Sequence, residues 1–438
     1  MKTMNSKRHK RLVKEGTWIV VGQIVSIIGA LVLVRVLTEY LEPAEYGEMM
    51  LGLTIAGLVN QVVMGGVING IGRFYSIASE ENDIPGYLVA ARWLMGYAIL
   101  AVIGITIVLS AGLMWFDYSQ WIPLALIVLI FSILQNIGLS MRGIQNAARQ
   151  RSIVALHMGM DSWLKTGLAV GVMFWLGSSS TAVIIGYTVS ATLITASQFF
   201  FLRNFLRTKK DAHQENRSKD WRGQIWSFSK PFSIWGLFVW FQQVSDKWAL
   251  GLFSTTGDIG QYAVLFQLGY VPIGIFTGMM ISFLGPILYQ RSGAATDDKR
   301  NKSVHKLVWY ISGVGFLITG VAFIFTLTMN EWLFKFLVAE EFRISSPLLP
   351  WVVLAGGIFS VGQILALKLM SDMKVNLIKN VKIITAISGG VMNFYGAWYF
   401  GISGVVMALL AFSTFYFLWM AFIVYRASNF DIKIVDKL

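Results

Sequence analysis

Residues 314–327, with the sequence VGFLITGVAFIFTL, decide the fold class of this chain. A helix formed from this stretch is apolar around its whole circumference, and so is one formed from residues 125–133, ALIVLIFSI. Helices without a polar face are buried in a large protein or span a membrane. Strands of a membrane barrel would instead alternate apolar and polar side chains, which neither stretch does. The two stretches therefore favour an α-helical structure.

The same apolar character extends over the whole chain. Of its 438 residues, 55% are hydrophobic and 13% are charged, and the mean hydropathy is +0.62. Because a bilayer-spanning helix needs about 20 mostly apolar residues, we predict an all-α polytopic membrane protein of about twelve transmembrane helices. The predicted spans are residues 17–38, 47–72, 88–115, 121–141, 153–176, 182–202, 225–253, 261–288, 307–329, 347–370, 383–400 and 405–425.

Basic residues are concentrated on one side of these spans. Short loops rich in lysine and arginine stay on the cytoplasmic side of a membrane. With the N-terminus in the cytoplasm, all but five of the 36 basic residues lie in or beside predicted inner segments; the exceptions are Arg35, Lys165, Lys247, Lys335 and Arg343. We therefore predict that both termini are cytoplasmic. The net charge of +13 is then an orientation signal, and it does not indicate nucleic-acid binding.

A polar segment divides the predicted spans into two halves. Residues 206–222 form a basic cytoplasmic linker between an N-lobe of six spans, 1–205, and a C-lobe of six spans, 223–438. Since six is even, each half begins and ends on the same side, so a duplication would be a parallel repeat. Residues 45–47 (EYG), at the start of span two, resemble residues 259–262 (IGQY), at the start of span eight. This similarity indicates such a repeat.

Few charged residues lie inside the spans. A charge at the bilayer centre costs about 2.5–3.5 kcal/mol on insertion scales, so it faces a cavity or a partner. Asp161 and Lys165 in span five are four residues apart, share a helix face and can pair. Asp246 and Lys247 in span seven point about 100° apart, so we expect each to need a separate partner or water. Arg35 lies near the outer end of span one.

These five residues are our candidates for a binding site in a cleft between the lobes. The alternatives remain open: the two acid–base pairs can be structural ion pairs, and Arg35 can lie at the outer interface. Three further cations, Arg73, Arg142 and Lys368, lie at the predicted inner mouth. They can contact a cargo, or they can extend to the headgroups and set the topology.

Small residues at a spacing of four mark places where helices approach closely. Gly66 and Gly70 in span two have this spacing, as do Gly167 and Gly171 in span five. We expect close helix packing at both pairs.

Several kinds of chemistry have no residues to support them. The chain has no cysteine and only four scattered histidines, which argues against disulfides, thiolate chemistry and a histidine metal site, so no metal or cofactor is predicted. The phosphate-binding motif G-x-x-x-x-G-K-[ST] of an ATP-driven pump does not occur. The predicted outer loops are short for the catalytic part of a membrane glycosyltransferase or polymerase. We therefore expect a protein that is not an enzyme.

A series of motifs in this order resembles one family. They include residues 31–47 (LVLVRVLTEYLEPAEYG), 139–145 (LSMRGIQ), 245–253 (SDKWALGLF), 257–262 (GDIGQY) and 399–404 (YFGISG). Their positions relative to the spans resemble the polysaccharide branch of the multidrug/oligosaccharidyl-lipid/polysaccharide (MOP) exporter superfamily. The resemblance covers nearly the whole chain.

The resemblance implies a multi-pass flippase of the bacterial inner membrane. Its cargo would be an undecaprenyl-diphosphate-linked oligosaccharide, moved to the outer leaflet by alternating access for O-antigen (lipopolysaccharide), capsule or exopolysaccharide synthesis. Membrane lipids would be further partners, and Asp161 or Asp246 could couple transport to H+ or Na+. A cation-coupled, MATE-like drug exporter of the same superfamily is the alternative: a basic cleft favours a diphosphate, and an acidic cleft favours a cationic drug.

Overall fold

The computed structural model describes residues 2–207, 220–292, 298–372 and 374–429. All regular elements within these ranges are helices, so the predicted all-α class is confirmed. Most of the predicted linker, 206–222, lies outside the described residues, since 208–219 are not among them. The chain forms two compact units, Met1–Trp240 and Phe241–Leu438. The boundary lies within one long helix, and the residue limits predicted for the lobes stay predictions.

The first unit contains seven long helical segments and the beginning of an eighth. A π-helical segment, Val59–Met64, joins α2 to α3, so the two helices and this segment form one continuous span. A single 3₁₀ turn, Ser119–Trp121, precedes α5. The helices are α1 (Lys2–Tyr40), α2 (Pro43–Leu58), α3 (Gly65–Glu80), α4 (Ile84–Trp115), α5 (Ile122–Ala147), α6 (Arg151–Leu176), α7 (Ser180–Arg207) and α8 (Trp221–Phe253).

The second unit contains the end of α8 and five further helices. A 3₁₀ segment, Glu340–Leu348, precedes α12. The last helix is bent at Gly401, which has φ 56° and ψ −133°, a backbone conformation that glycine adopts without a side-chain clash. The helices are α9 (Thr256–Gly269), α10 (Val271–Ser292), α11 (Asp298–Leu337), α12 (Leu349–Ser371) and α13 (Val375–Asn429).

The helices account for all of the predicted spans. Within the described part of the chain, nine helical segments are long and apolar enough to cross a membrane. Two more, α6 and α8, have 26 and 33 residues and carry the acid–base pairs that lower their hydropathy. The bend at Gly401 divides α13 into two spans, which brings the number to the predicted twelve. The orientation of the termini stays a prediction.

Glycines allow α8 to lie directly against the second span. A Cβ atom added to Gly66 would lie 2.6 Å from the Ser229 carbonyl oxygen, and one added to Gly70 would collide with the Ser229 hydroxyl. The close packing predicted for this pair is confirmed. For Gly167 and Gly171 the prediction is wrong, because no described atom of a neighbouring helix lies within 4 Å of an added Cβ. The face of α6 that packs on α7 instead contains Ala169, which meets Gly186.

Candidate functional site

One face of α6 brings Asp161 and Lys165 together. Side chains four residues apart lie one above the other on a helix. Lys165 Nζ is 2.9 Å from Asp161 Oδ2, and 13% of the lysine and 17% of the aspartate side chain are exposed. The pairing that the spacing predicts is therefore present, in a position that is largely but not completely shielded.

Two aromatic rings from neighbouring helices surround this lysine. The Nζ atom of Lys165 lies 5.4 Å from the ring centre of Phe131 in α5 and 6.0 Å from that of Tyr187 in α7. The two rings also contact each other, with centres 5.9 Å apart. A cation within about 6 Å of a ring centre is attracted by about 0.5–2 kcal/mol per ring, depending on how far it is desolvated. The rings therefore hold the ammonium group in position without neutralising its charge.

Arg142 adds a second cation to this group. It is half-buried in α5 and interacts electrostatically with Asp161. Its Nε atom is buried and forms no hydrogen bond with any described residue. Asp161, Lys165 and Arg142 together carry one net positive charge, and we refer to them as the α6 site.

Sequence reasoning missed His157, which belongs to the same face of α6. Its ring is fully buried, with Nδ1 2.8 Å from the Ile153 carbonyl oxygen and Nε2 3.1 Å from Ser197 Oγ. A carbonyl oxygen can only accept, so Nδ1 carries a proton; in the neutral ring Nε2 then accepts from the serine hydroxyl. The repeated spacing of four from His157 through Asp161 to Lys165 is the signal that could have found it.

In the second unit, Asp246 and Lys247 pair with each other. Lys247 Nζ lies 3.2 Å from Asp246 Oδ1 and 3.3 Å from Oδ2. The expectation that each would need a separate partner is wrong, because the long, flexible stem of lysine can turn back toward the adjacent residue. The two side chains are 7% and 5% exposed, so this pair is more deeply buried than the one in α6.

Helix α9 completes the environment of this second pair. The Tyr262 hydroxyl donates a hydrogen bond to Asp246 Oδ2 at 2.7 Å. Lys247 Nζ lies 4.7 Å from the ring centre of Phe266 and 5.6 Å from that of Tyr262. The carboxylate thus has both the ammonium and a hydroxyl as partners, and the pair has no net charge.

The remaining predicted residues lie in different surroundings. Arg35 forms an ion pair with Glu39 at 2.9 Å, and 38% of the arginine side chain is exposed. Arg73 is exposed on α3. Lys368 is buried and pairs with Asp372 one turn later, so it does not extend toward the headgroups. Of the three cations predicted at the inner mouth, Arg142 is the one within electrostatic range of an acid–base pair that the sequence singles out, Asp161–Lys165.

The described residues contain no group of three or more histidine, aspartate or glutamate side chains that could hold a metal ion. Within each unit the candidate site therefore consists of a lysine, a carboxylate and aromatic rings. Such an arrangement can bind an anion or shift a proton.

A family model described as "Polysaccharide biosynthesis protein" matches residues 12–292, which is more than half of the chain. Comparison with curated proteins finds no match. Solved structures, in contrast, match along almost the whole chain.

The lipid II flippase MurJ, in an inward closed conformation, matches with a TM-score of 0.68 at 12% identity over 96% of this chain and 88% of that chain. The Vibrio cholerae MATE transporter VcmN in its bent form matches with a TM-score of 0.62 at 13% identity, over 97% of this chain and 98% of that chain. A MOP superfamily transporter from Pyrococcus furiosus matches with a TM-score of 0.59 at 14% identity, over 96% of this chain and 97% of that chain.

These likenesses give the chain the two-lobed fold of MOP transporters and flippases, as the sequence motifs predict. The chain thus has the helices of a multi-pass membrane protein and the fold that these transporters and flippases share. Because the family model covers most of the described first unit and more than half of the whole sequence, the chain belongs to the polysaccharide biosynthesis protein family.

Proposed function

We propose that this protein moves undecaprenyl-diphosphate-linked oligosaccharide units from the cytoplasmic to the outer leaflet of a bacterial inner membrane. It would do so by alternating access of two lobes, for the synthesis of O-antigen, capsule or exopolysaccharide. Membership of a polysaccharide biosynthesis family supports a saccharide cargo. The similarity to MurJ, which is a lipid II flippase, supports a cargo linked to a lipid.

The net positive charge of the α6 site is the observation that carries this proposal. A diphosphate is a multiply charged anion, and a partly desolvated cation attracts it more strongly than one in water does. Lys165 and Arg142 supply two cations against the single carboxylate of Asp161. An arriving diphosphate can compete with Asp161 for Lys165, with Arg142 as a further cation near it. Asp161 would then pair with Lys165 only while no cargo is bound.

We assign the Asp246–Lys247 pair a structural role instead. The pair is neutral, it is almost fully buried, and Tyr262 already satisfies its carboxylate. To reach Lys247, a cargo anion would have to displace the carboxylate of Asp246 and also lose its own hydration. Exchange of partners is therefore much less costly at the α6 site, whose side chains are two to three times more exposed.

A cation-coupled drug exporter is the second candidate, because VcmN, a MATE transporter, shares the fold. A cationic drug needs an acidic site, and the α6 site has the opposite charge. The Pyrococcus furiosus transporter is described as having a binding pocket of reverse polarity that suggests a different function. By analogy, the sign of the charge in the α6 site favours an anionic cargo.

The test is translocation of a fluorescent polyprenyl-diphosphate oligosaccharide in vesicles containing the purified protein. We expect Lys165→Ala to lower the initial rate by at least tenfold, since it removes a charge-assisted contact worth about 1.5–3 kcal/mol. Lys230→Ala removes an exposed cation from α8 and should leave the rate unchanged. If the wild type translocates the oligosaccharide and the Lys165→Ala variant does so at the same rate, the assignment of the α6 site is contradicted.

The coupling ion is part of the same proposal. Asp161 is the better candidate for coupling to H+ or Na+, because it is more exposed than Asp246 and has a second cation near it. Asp161→Asn should make translocation insensitive to an imposed H+ or Na+ gradient. A variant that still responds to the gradient as the wild type does would exclude Asp161 from coupling.

A further inference from the structure

The two aromatic rings beside Lys165 are more deeply buried than the lysine itself. Phe131 is 3% exposed and Tyr187 is 5% exposed, whereas 13% of the Lys165 side chain is exposed. The ammonium group is thus more accessible to an anion than either ring is. An effect of these rings on cargo binding therefore has to act through the lysine.

The packing of α7 against α6 places Tyr187 beside Lys165. Gly186, the residue before this tyrosine, lies so close to α6 that an added Cβ would be 2.5 Å from the Ala169 Cα atom. Ala169 follows Lys165 by one helical turn, so the contact brings the backbone of α7 close to the level of the lysine. A side chain at position 186 would meet backbone atoms, so the approach depends on glycine.

A second contact fixes the distance between α5 and α7, the helices that carry the two rings. The Thr195 hydroxyl of α7 donates a hydrogen bond to the Leu134 carbonyl oxygen of α5 at 3.0 Å. One turn further along α5, a Cβ added to Gly138 would lie 3.0 Å from the same hydroxyl oxygen. The position of the ring pair is therefore set by the packing of α5, α6 and α7, and it does not depend on which anion the lysine binds.

Lys165 has to change its partner if an anionic cargo displaces Asp161. The stem of a lysine is flexible, so an ammonium group that leaves one carboxylate can adopt many positions. Attraction to a ring face needs no particular hydrogen-bond acceptor, so it persists whether the ammonium group donates to Asp161 or to another anion. The rings can thus hold the group in place during the exchange.

We propose that Phe131 and Tyr187 are positioning residues for cargo binding. They retain the Lys165 ammonium group at the α6 site while it exchanges the Asp161 carboxylate for an anionic group of the cargo. Without a ring, the ammonium group is less ordered, and the cost of ordering it falls on the affinity for the cargo. The inference rests on the proposed function and adds to it two residues that act through Lys165.

The second unit contains a lysine in similar surroundings that provides a matched comparison. Lys247 Nζ lies 4.7 Å from the ring centre of Phe266, which is closer than either ring lies to Lys165. We assign the pair of Lys247 with Asp246 a structural role. Removing the ring of Phe266 should therefore leave cargo affinity unchanged.

The experiment measures initial rates of translocation by the full-length protein in vesicles, at increasing concentrations of the fluorescent polyprenyl-diphosphate oligosaccharide. We expect Tyr187→Leu and Phe131→Leu each to raise KM about threefold to fivefold, the factor that one cation–π contact gives, with kcat unchanged. Tyr187→Phe retains a ring and should have the KM of the wild type. In the Lys165→Ala background, Tyr187→Leu should have no further effect, because the two residues act as a unit.

The outcomes separate positioning from general packing. Tyr187→Leu that raises KM by the same factor with and without Lys165 would overturn the proposal, and so would an unchanged KM in both leucine variants. Phe266→Leu is the control, and a rise in KM of equal size there would also overturn it. Unfolding midpoints identify a leucine variant that folds poorly, and the comparison of Tyr187→Phe with the wild type then remains: a KM raised by loss of the hydroxyl alone would exclude the ring as the cause.

The proposed function has a separate outcome in the same data. If Lys165→Ala lowers the rate and the leucine variants behave as the wild type, the positioning role is wrong and the proposed function stands. If Lys165→Ala transports at the wild-type rate, the α6 site is not the cargo site, and the positioning role is wrong with it.

Discussion

Trp221 donates a hydrogen bond from its indole Nε1 to Oδ2 of Asp83, at 2.7 Å. The other oxygen of this carboxylate accepts the backbone N–H of Gly86 at 3.0 Å and caps α4. Trp221 is the first residue of α8, and its ring packs edge-on against Phe74 and Tyr87. One carboxylate thus fixes the beginnings of two helices, α4 and α8.

Replacing this carboxylate should destabilise the first unit. Asp83→Ala removes the α4 cap and leaves the Trp221 indole without its acceptor, which together cost about 1–3 kcal/mol. The midpoint of thermal unfolding in detergent should fall accordingly. Asp220→Ala removes only the cap of α8 and should cause a smaller decrease. Equal midpoints for Asp83→Ala and the wild type would show that the carboxylate does not hold the two helices.

Arg142 should contribute to transport through its charge. Arg142→Gln keeps a polar side chain of similar length but leaves the α6 site neutral, so binding of a diphosphate should weaken. We expect the translocation rate to fall about tenfold, which is the effect of losing about 1.4 kcal/mol. Arg142→Lys should recover part of the rate. The exposed Arg149 at the end of α5 provides the control, since Arg149→Gln should transport normally; a loss of equal size there would point to a general effect of surface charge.

The Asp246–Lys247 pair should matter for stability rather than for cargo. Lys247→Met leaves a buried carboxylate with only two neutral donors, the Tyr262 hydroxyl and the backbone N–H of residue 247. Breaking a buried pair in this way costs about 3–5 kcal/mol. The double variant Asp246→Asn with Lys247→Met removes both charges and should recover most of the lost stability. The midpoints of thermal unfolding of the single and double variants measure how much stability is lost and how much is recovered. A double variant that is no more stable than Lys247→Met would contradict a structural ion pair.

The contact between α8 and the second span should be sensitive to a single methyl group. In Gly236→Ala the new Cβ would meet the backbone of Gln61, which cannot move as a flexible side chain can. We expect a loss of about 1–3 kcal/mol, typical of overpacking. Gly171→Ala is the matched control, because no described neighbour lies within 4 Å there and alanine is the better helix former. Unfolding midpoints that change equally in both variants would exclude the close contact.

Much of the architecture follows from the order of residues alone. Residues 314–327 are apolar at every position that is not glycine or threonine, and such a pattern leaves a helix in lipid as the stable solution. The spacing of Asp161 and Lys165 likewise requires only the geometry of one helix. Properties of this kind depend on neighbours within about two turns, so the sequence displays them directly.

The partners of each charge were decided by packing between helices. Nothing in the local pattern of α6 indicates that Phe131 and Tyr187 surround Lys165, because these rings come from residues 34 and 22 positions away in the chain. The same holds for Tyr262 beside Asp246 and for the contact of Gly70 with Ser229. Gly167 and Gly171 have the same spacing as Gly66 and Gly70, yet only the latter pair faces another helix closely. A glycine pair permits another helix to approach closely. Which helix packs against the pair, if any, depends on how all the helices pack together.

The sequence by itself thus determined the class of the protein, its spans and the pairing of Asp161 with Lys165, because helix periodicity and the cost of polar groups in lipid act locally. The tertiary structure alone decided that the Asp161–Lys165 pair is partly open and has Arg142 near it, and that the Asp246–Lys247 pair is closed. The physical reason is that burial, desolvation and empty volume are properties of several helices together, and no single segment carries them.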